Sequence, residues 1–237
     1  MVHPVTSADD PRIAAGMRRH SALRQERIAA GQTVIGWKVG FGAPAALEKL
    51  RLTAPLVGFL LDTAQLSAGA TVSLAGWQKP VAEPEIAVHL GRDLPAGADD
   101  DAVRSAIAAL GPAIEIADVD APMDDVEAIL AGDIFQRHVV LGPHDPARAG
   151  ARLAGLTGAV MRSGEALAVA ADLEQNTGRL IDIVRHVANV TADLGDGLRA
   201  GQFIIAGSVI PPLFVTPGES LTFILSPIGA VSVGFHS

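Results

Sequence analysis

From Val34 onward the chain is written as short β-rich runs, broken by glycine and proline before helical periodicity can build up. The pattern predicts strands over 34–41, 56–61, 71–74, 81–90, 113–118, 137–141, 157–163, 203–206, 221–225 and 229–235. Two helices interrupt them. One is expected from about Asp99 to Leu110, with Val103, Ile107 and Leu110 on one face. The other starts near Asn176, where Gln175-Asn176 reads as a cap. It carries Leu180, Val184, Val187, Thr191 and Leu194 at helical spacing and ends at Gly195 and Gly197. This is not a βαβ alternation, which argues against a doubly wound parallel sheet. Gly36-Trp37-Lys38-Val39-Gly40 lies inside a strand instead of opening a helix, so it makes a weak phosphate cradle. Ahead of the strands, Asp9-Asp10-Pro11, then Ile13, Met17, Leu23 and Ile28, then Gly31 mark a helical region with its cap, first turn and stop. The expected architecture is α+β: a helical appendage over 1–33 and a compact mixed-β domain over 34–237.

Composition narrows the function classes. With 49% hydrophobic and 19% charged residues the chain can bury a sizeable core. A net charge of −8 and the lack of any Lys/Arg run argue against a nucleic-acid surface. There is no cysteine, which excludes disulfides, thiolate metal sites and a cysteine nucleophile. Residues Met1 to Asp10 carry no signal-peptide pattern, and no apolar run approaches the length of a membrane span. A cytoplasmic protein without membrane or nucleic-acid partners is expected. Exposed sheet edges point to a homo-oligomer, a dimer or higher.

The residues that point to chemistry are Glu83 and Glu85, in Val81-Ala82-Glu83-Pro84-Glu85-Ile86-Ala87-Val88. Side chains alternate faces along a strand, so the two carboxylates share a face, roughly 7 Å apart at about 3.3 Å per residue. Pro84 pushes Glu83 towards an extended conformation and holds the pair splayed. Like charges on one face repel unless something positive sits between them, and a hard divalent cation such as Mg²⁺ or Mn²⁺ suits carboxylate oxygens. A solvated strand face is the competing reading. Glu115 adds weight to the metal: it sits in Ala113-Ile114-Glu115-Ile116-Ala117-Asp118, where a carboxylate needs a partner. That partner is either a metal or a buried cation. Lys38, between Trp37 and Val39, is a second ionisable group in apolar company and a candidate for acid/base work, or else a snorkelling surface lysine.

These pieces together resemble a known family. Gly36-Trp37-Lys38-Val39-Gly40, Pro55-Leu56-Val57-Gly58, Glu83-Pro84-Glu85, Pro112 to Asp118, and Leu198-Arg199-Ala200-Gly201-Gln202 running into Ala206-Gly207-Ser208 are similar to the 2-keto-4-pentenoate hydratase / 4-oxalocrotonate decarboxylase branch of the fumarylacetoacetate hydrolase superfamily. The resemblance extends from about residue 10 to 235. It implies a β-roll core, Mg²⁺ or Mn²⁺ on Glu83, Glu85 and Glu115, and a 2-oxo acid or its enol as ligand. Lys38 matches a lysine assigned to proton transfer, and Gly207-Ser208 a small-residue turn beside the substrate.

Two stretches depart from that pattern. Where hydratases of the branch carry an aspartate after the proline, this chain has Leu56. Where they carry an Asp-Asn-Ala-Ser-Ser loop, it has Asp133-Ile134-Phe135-Gln136-Arg137-His138. Leu56, Phe135, Gln136 and Arg137 are therefore candidate substrate-binding positions. Arg137 is a partner for a substrate carboxylate and His138 a proton carrier, though neighbouring residues on a strand face opposite ways. His89, His144 and His236 read as surface or satisfied core histidines. The expected function is a metal-dependent lyase, a hydratase or decarboxylase acting on a 2-hydroxy-2,4-dienoate in aromatic catabolism. The alternatives are a hydrolase of acylpyruvate-like C–C bonds, with His138 as base, and a partner subunit that binds metal and ligand with weak activity.

Overall fold

The computed structural model describes residues 10–237. Residues 1–9, which include Asp9 and most of the segment read above for a signal pattern, lie outside the described residues. The first helix, α1 (Pro11–Ala29), is capped by the Asp10 carboxylate, which accepts from the Arg12 backbone N–H at 2.9 Å. Gly31, at φ +92°, ends the helical region where the sequence placed its stop.

The chain then runs through β1 (Val34–Gly40), α2 (Pro44–Leu50), β2 (Leu56–Leu61), β3 (Gln65–Leu66), β4 (Thr71–Ser73), β5 (Pro80–Leu90), α3 (Asp100–Ala106) and β6 (Ile107–Asp118). There follow α4 (Val126–Ala131), β7 (Gln136–Leu141), β8 (Thr157–Arg162), β9 (Glu165–Ala170), α5 (Leu180–Asp193), β10 (Phe203–Ser208), β11 (Leu213–Phe214), β12 (Ser220–Ser226) and β13 (Gly229–His236). Among the described residues these strands form two mixed sheets. The larger has the order β2-β1-β10-β5-β6-β7-β3, with β11 also on β5; the smaller has the order β4-β13-β12-β8-β9. Parallel pairing joins β1 to β10, β3 to β7 and β4 to β13, while every other pair is antiparallel.

Each predicted strand is present, with bounds shifted by a few residues at most except at β6. The helix expected to reach Leu110 stops at Ala106, and Ile107 and Leu110 instead open β6. Tertiary pairing overrides the local period here. Strand β5 offers an eleven-residue ladder, and Ile107 pairs with Leu90 and Leu110 with Val88 along it. Gly111-Pro112 would have ended a helix at that point in any case. Helix α5 begins at Leu180, not near Asn176, and its first turn is satisfied by Glu174, whose carboxylate accepts from the Leu180 N–H at 2.7 Å. The short α2 and α4 and the exposed edge strand β9 were not read from the sequence; six or seven residues carry too little periodicity to register.

Alternation along the large sheet separates two apolar faces. One contributes Trp37, Ile86, Val88, Ile114, Ile116 and Ile204 to the main core, together with Phe223, Val231 and Val233 of the small sheet and Val184 and Val187 of α5. The other carries Leu60, Ala87, Ala113, Val139, Phe203 and Ile205. A third apolar cluster, including Leu50, Leu56, Leu130, Ile134 and Phe135, lies where α1 packs on α4. The close approach of those helices depends on Gly16, where an added Cβ would come 2.7 Å from Leu130 Cβ and 3.1 Å from the Glu127 carbonyl. Neither atom is the free end of a flexible side chain. Gly16→Ala is expected to lower the thermal midpoint followed by circular dichroism, even though alanine contributes about 1 kcal/mol over glycine inside an unobstructed helix. An unchanged or raised midpoint would show that α1 and α4 separate at no cost.

Candidate active site

The second face of the large sheet carries the site. Glu83 and Glu85 stand two residues apart on β5, and Glu115 on β6 is the cross-strand partner of Glu83. Register alone therefore turns the three carboxylates inward together. One oxygen from each lies within 4.8 Å of the others, and Glu85 and Glu115 are 1% exposed. Lys38 reaches the same face from β1, because its neighbour on β10, Ile205, is level with Ala87 on β5. Its ammonium is ion-paired to Glu115 and donates to the Ile134 carbonyl at 3.1 Å. The open choice for Glu115 is thus answered in part: a buried cation does face it.

Gly207 completes the cluster from β10. The register of β10 on β5 slips between Ile205 and Ser208, and there the Gly207 N–H donates to Glu85 at 2.6 Å. Gly207 sits at φ +88°, and a Cβ on it would meet Thr177 Cγ2 at 2.7 Å, so glycine is required twice over. Asn176, expected at a helix cap, instead donates its side-chain amide to the Ser208 carbonyl at 2.6 Å and lines the cavity with Thr177.

The loop before β7 braces Lys38 from the other side. Asp133, Ile134 and Phe135 take φ of 55°, 54° and 65° in succession. Left-handed backbone costs roughly 1–3 kcal/mol per non-glycine residue and persists only when its surroundings dictate it. Here they do. The buried Asp133 carboxylate accepts from the Phe59 N–H at 2.9 Å and meets His20 Nε2 of α1 at 3.0 Å. A Cβ at Gly58 would come 2.7 Å from Asp133 Oδ1, and one at Gly40 would come 2.6 Å from Ile134 Cγ2. Sequence reading did not find Asp133 and His20 as a pair, because 113 residues separate them.

A cavity of about 430 Å³ opens over this cluster. Lys38, Glu83, Gly207, Ser208 and Phe135 line it. Leu56 is buried behind its wall, clustered with Leu50, Ile134 and Phe135. Gln136 and Arg137 line a separate cavity of about 440 Å³, and the Arg137 guanidinium pairs with Asp120 at 2.5 Å. His138 is the register partner of Ile116 and so faces away from Glu115, stacked on Trp77 with ring centroids 6.1 Å apart. Burial lowers its imidazole pKa, against the backbone hydrogen bond that raises it, with Arg137 lowering it further.

Charge dominates the energetics. Burial, then the Glu115 charge, raises Glu83 to about 7, with Lys38 opposing. Glu85 is held well above its ordinary range by burial and by Glu115 and Glu83. Glu115 is raised by burial, against the lowering effect of Lys38. Burial alone would lower Lys38, but Glu115 and Glu83 outweigh it and keep the ammonium charged. A set of hard oxygen donors that is too negative for its one cation fits a divalent ion of the Mg²⁺ type.

The family model described as fumarylacetoacetate (FAA) hydrolase C-terminal matches residues 37–235, a stretch that holds all four of these charged residues. The chain belongs to the fumarylacetoacetate hydrolase family. It is 29% identical to a 2-keto-4-pentenoate hydratase of Paraburkholderia xenovorans, over 90% of this chain and 80% of the relative. To a 4-oxalocrotonate decarboxylase of Pseudomonas putida it is 27% identical, over 90% and 81%. The structure of 4-oxalocrotonate decarboxylase from Pseudomonas putida G7, complexed with magnesium and adipate, superposes with a TM-score of 0.82 at 25% identity, covering 90% of this chain and 82% of that one. The family's mixed β-roll fold is therefore present here, and the relatives are enzymes. No helix of the described residues is long and apolar enough to cross a membrane.

The raised carboxyl groups set a pH dependence. Between the ordinary glutamate range and about 7, metal-free folded protein holds a proton on Glu83 that the unfolded chain has released, so this contribution to stability is present at low pH and lost as pH rises through about 7. Added Mg²⁺ is expected to stabilise the fold by roughly 2.7 kcal/mol at a hundredfold excess over Kd, and to raise the midpoint more at about pH 8 than at about pH 5.5. Differential scanning fluorimetry with Mg²⁺ or chelator checks this, and Glu83→Gln should flatten the metal-free profile. Equal Mg²⁺ effects at both pH values would count against the cluster as the binding site.

Proposed function

We propose that the protein is a divalent-metal-dependent lyase, a hydratase or decarboxylase, acting on a 2-hydroxy-2,4-dienoate or the 2-oxo acid in equilibrium with it. The observation that carries this reading is Lys38, buried as an ammonium against the carboxylate cluster at the floor of the cavity. Glu83, Glu85 and Glu115 would hold the cation, with Mg²⁺ and Mn²⁺ both suited to them. When bound, the cation supplies Lewis-acid stabilisation of negative charge on the 2-oxygen of the ligand.

The chain's own residues do the rest. An ammonium has three N–H donors; Glu115 and the Ile134 carbonyl take two, which leaves one for the ligand. Charge on Glu115 and Glu83 keeps Lys38 protonated, so it enters the reaction as a proton donor to the carbon chain of the dienolate, the dienol having released its 2-hydroxyl proton to solvent on binding. After donation, the neutral amine can take a proton back in the reverse tautomerisation. The Gly207 N–H fixes one Glu85 oxygen and leaves the other for the cation.

The reading as a lyase, against a hydrolase of acylpyruvates with His138 as its base, rests on where His138 points. Hydrolysis of a distal carbonyl needs a base aimed at water beside it. Among the described residues lining the cavity, the ionisable ones are Lys38, Glu83 and Lys49, and His138 is turned to the opposite face. The relatives named above support the same class.

Ultraviolet absorbance tests the proposal. Loss of the dienol band of a 2-hydroxydienoate is expected with Mg²⁺ or Mn²⁺, and no loss in Glu85→Ala. Lys38→Met should retain or tighten Mg²⁺ binding, having lost a competing cation, while turnover falls by about 10²–10⁴-fold. Wild-type turnover in Lys38→Met would sink the assigned role. Tight ligand binding with an unchanged spectrum would favour a binding subunit over an enzyme.

A further inference from the structure

The cavity changes character away from Lys38 and Glu83. Phe41, Leu50, Val119, Ile134 and Phe135 form its wall and belong to one apolar cluster. The Phe41 and Phe135 rings stand 6.4 Å apart, tilted by 58°. At the rim Met123 and Phe214 are 45% and 59% exposed. The wall is also held under strain: Phe41, Ile134 and Phe135 all have positive φ, at 58°, 54° and 65°. An isoleucine in that region is an outlier, and backbone strain of this kind collects at ligand sites.

The wall offers no buried cation. Lys49, near the end of α2, is the one further cation on the cavity among the described residues; it is exposed and makes no ion pair there. A carboxylate laid against the aromatic wall would lose its hydration without gaining a partner, whereas an alkyl or aryl group loses nothing polar.

From this wall we infer that the substrate carries an uncharged apolar tail, alkyl or aryl, and that dicarboxylic counterparts are discriminated against. That selects hydration within the proposed class, because CO₂ lost from a ligand that keeps its 2-oxo acid head must come from a second carboxylate. The inference rests on the proposed binding of the 2-oxo or enol acid head at the carboxylate cluster, and it goes further by assigning the tail. Phe41, Phe135 and Phe214 become specificity-determining residues. The rim pair Met123 and Phe214 would be covered by the tail when the site is filled.

Two measurements on the full chain with Mg²⁺ test the inference. The first is the thermal shift given by saturated 2-oxo acids, which share the head but cannot react, bearing a methyl, a phenyl or a carboxylate at the far carbon. The second is kcat/KM for the matching 2-hydroxydienoates. The methyl and phenyl compounds should exceed the carboxylate in kcat/KM by about tenfold or more, the scale on which apolar pockets discriminate. Phe214→Lys should narrow or reverse that order, and Lys49→Ala should leave the order as it is. A preference for the carboxylate tail that disappears in Lys49→Ala would overturn the inference, since Lys49 would then be reading a second carboxylate. Equal shifts and equal kcat/KM for all three tails would also overturn it while leaving the head-group assignment standing. If no 2-oxo acid shifts the midpoint and no dienoate is consumed, the head-group assignment fails and the tail falls with it.

Discussion

Much of the structure around the site depends on three clustered carboxylates, two of them fully buried, opposed by a single ammonium. Glu83, Glu85 and Glu115 on adjacent strands place more negative charge in the sheet than Lys38 neutralises. Charge in that position is strongly penalised unless it is paired, protonated or bound to a cation. The local fold follows from meeting that demand. A register slip in β10 brings a backbone N–H to Glu85, and a left-handed loop brings a backbone carbonyl to Lys38.

That loop ties the N-terminal helix to the chemistry. His20 of α1 meets Asp133, Asp133 holds the Phe59 N–H, and the next residue, Ile134, presents its carbonyl to Lys38. From the sequence pattern α1 reads as an appendage to the mixed-β domain. In the fold it supplies part of the brace behind the site, and its own packing on α4 requires glycine at position 16. The same left-handed loop also aims Ile134 and Phe135 into the cavity, so one strained segment serves both the proton donor and the apolar wall.

Much of the fold was legible in sequence because half-buried strands announce themselves by alternation and by the glycine and proline between them. The exception at Ile107–Leu110 is instructive. Those residues sit at helical spacing, yet they are strand because β5 is long enough to pair with them. A partner that distant in the chain leaves no local mark. Asn176 shows the same limit on a smaller scale: its type suits a helix cap, but Glu174 takes that duty and frees Asn176 for Ser208.

For the candidate site, the sequence by itself determined that two carboxylates share a strand face and that Glu115 and Lys38 are charges in apolar surroundings. Both conclusions follow from strand alternation and the cost of burying charge. It also carried the family pattern, which includes Glu83-Pro84-Glu85 and the segment around Glu115. Only the tertiary structure decided that Glu115 lies level with Glu83, that Lys38 is its countercharge, and that His138 faces away while Phe135 faces in. Those outcomes turn on inter-strand register, on bulges that shift a side chain from one face to the other, and on positive φ at bulky residues. Each is set by long-range pairing that runs against local preference, so the residues concerned could be named from the sequence, but their arrangement could not.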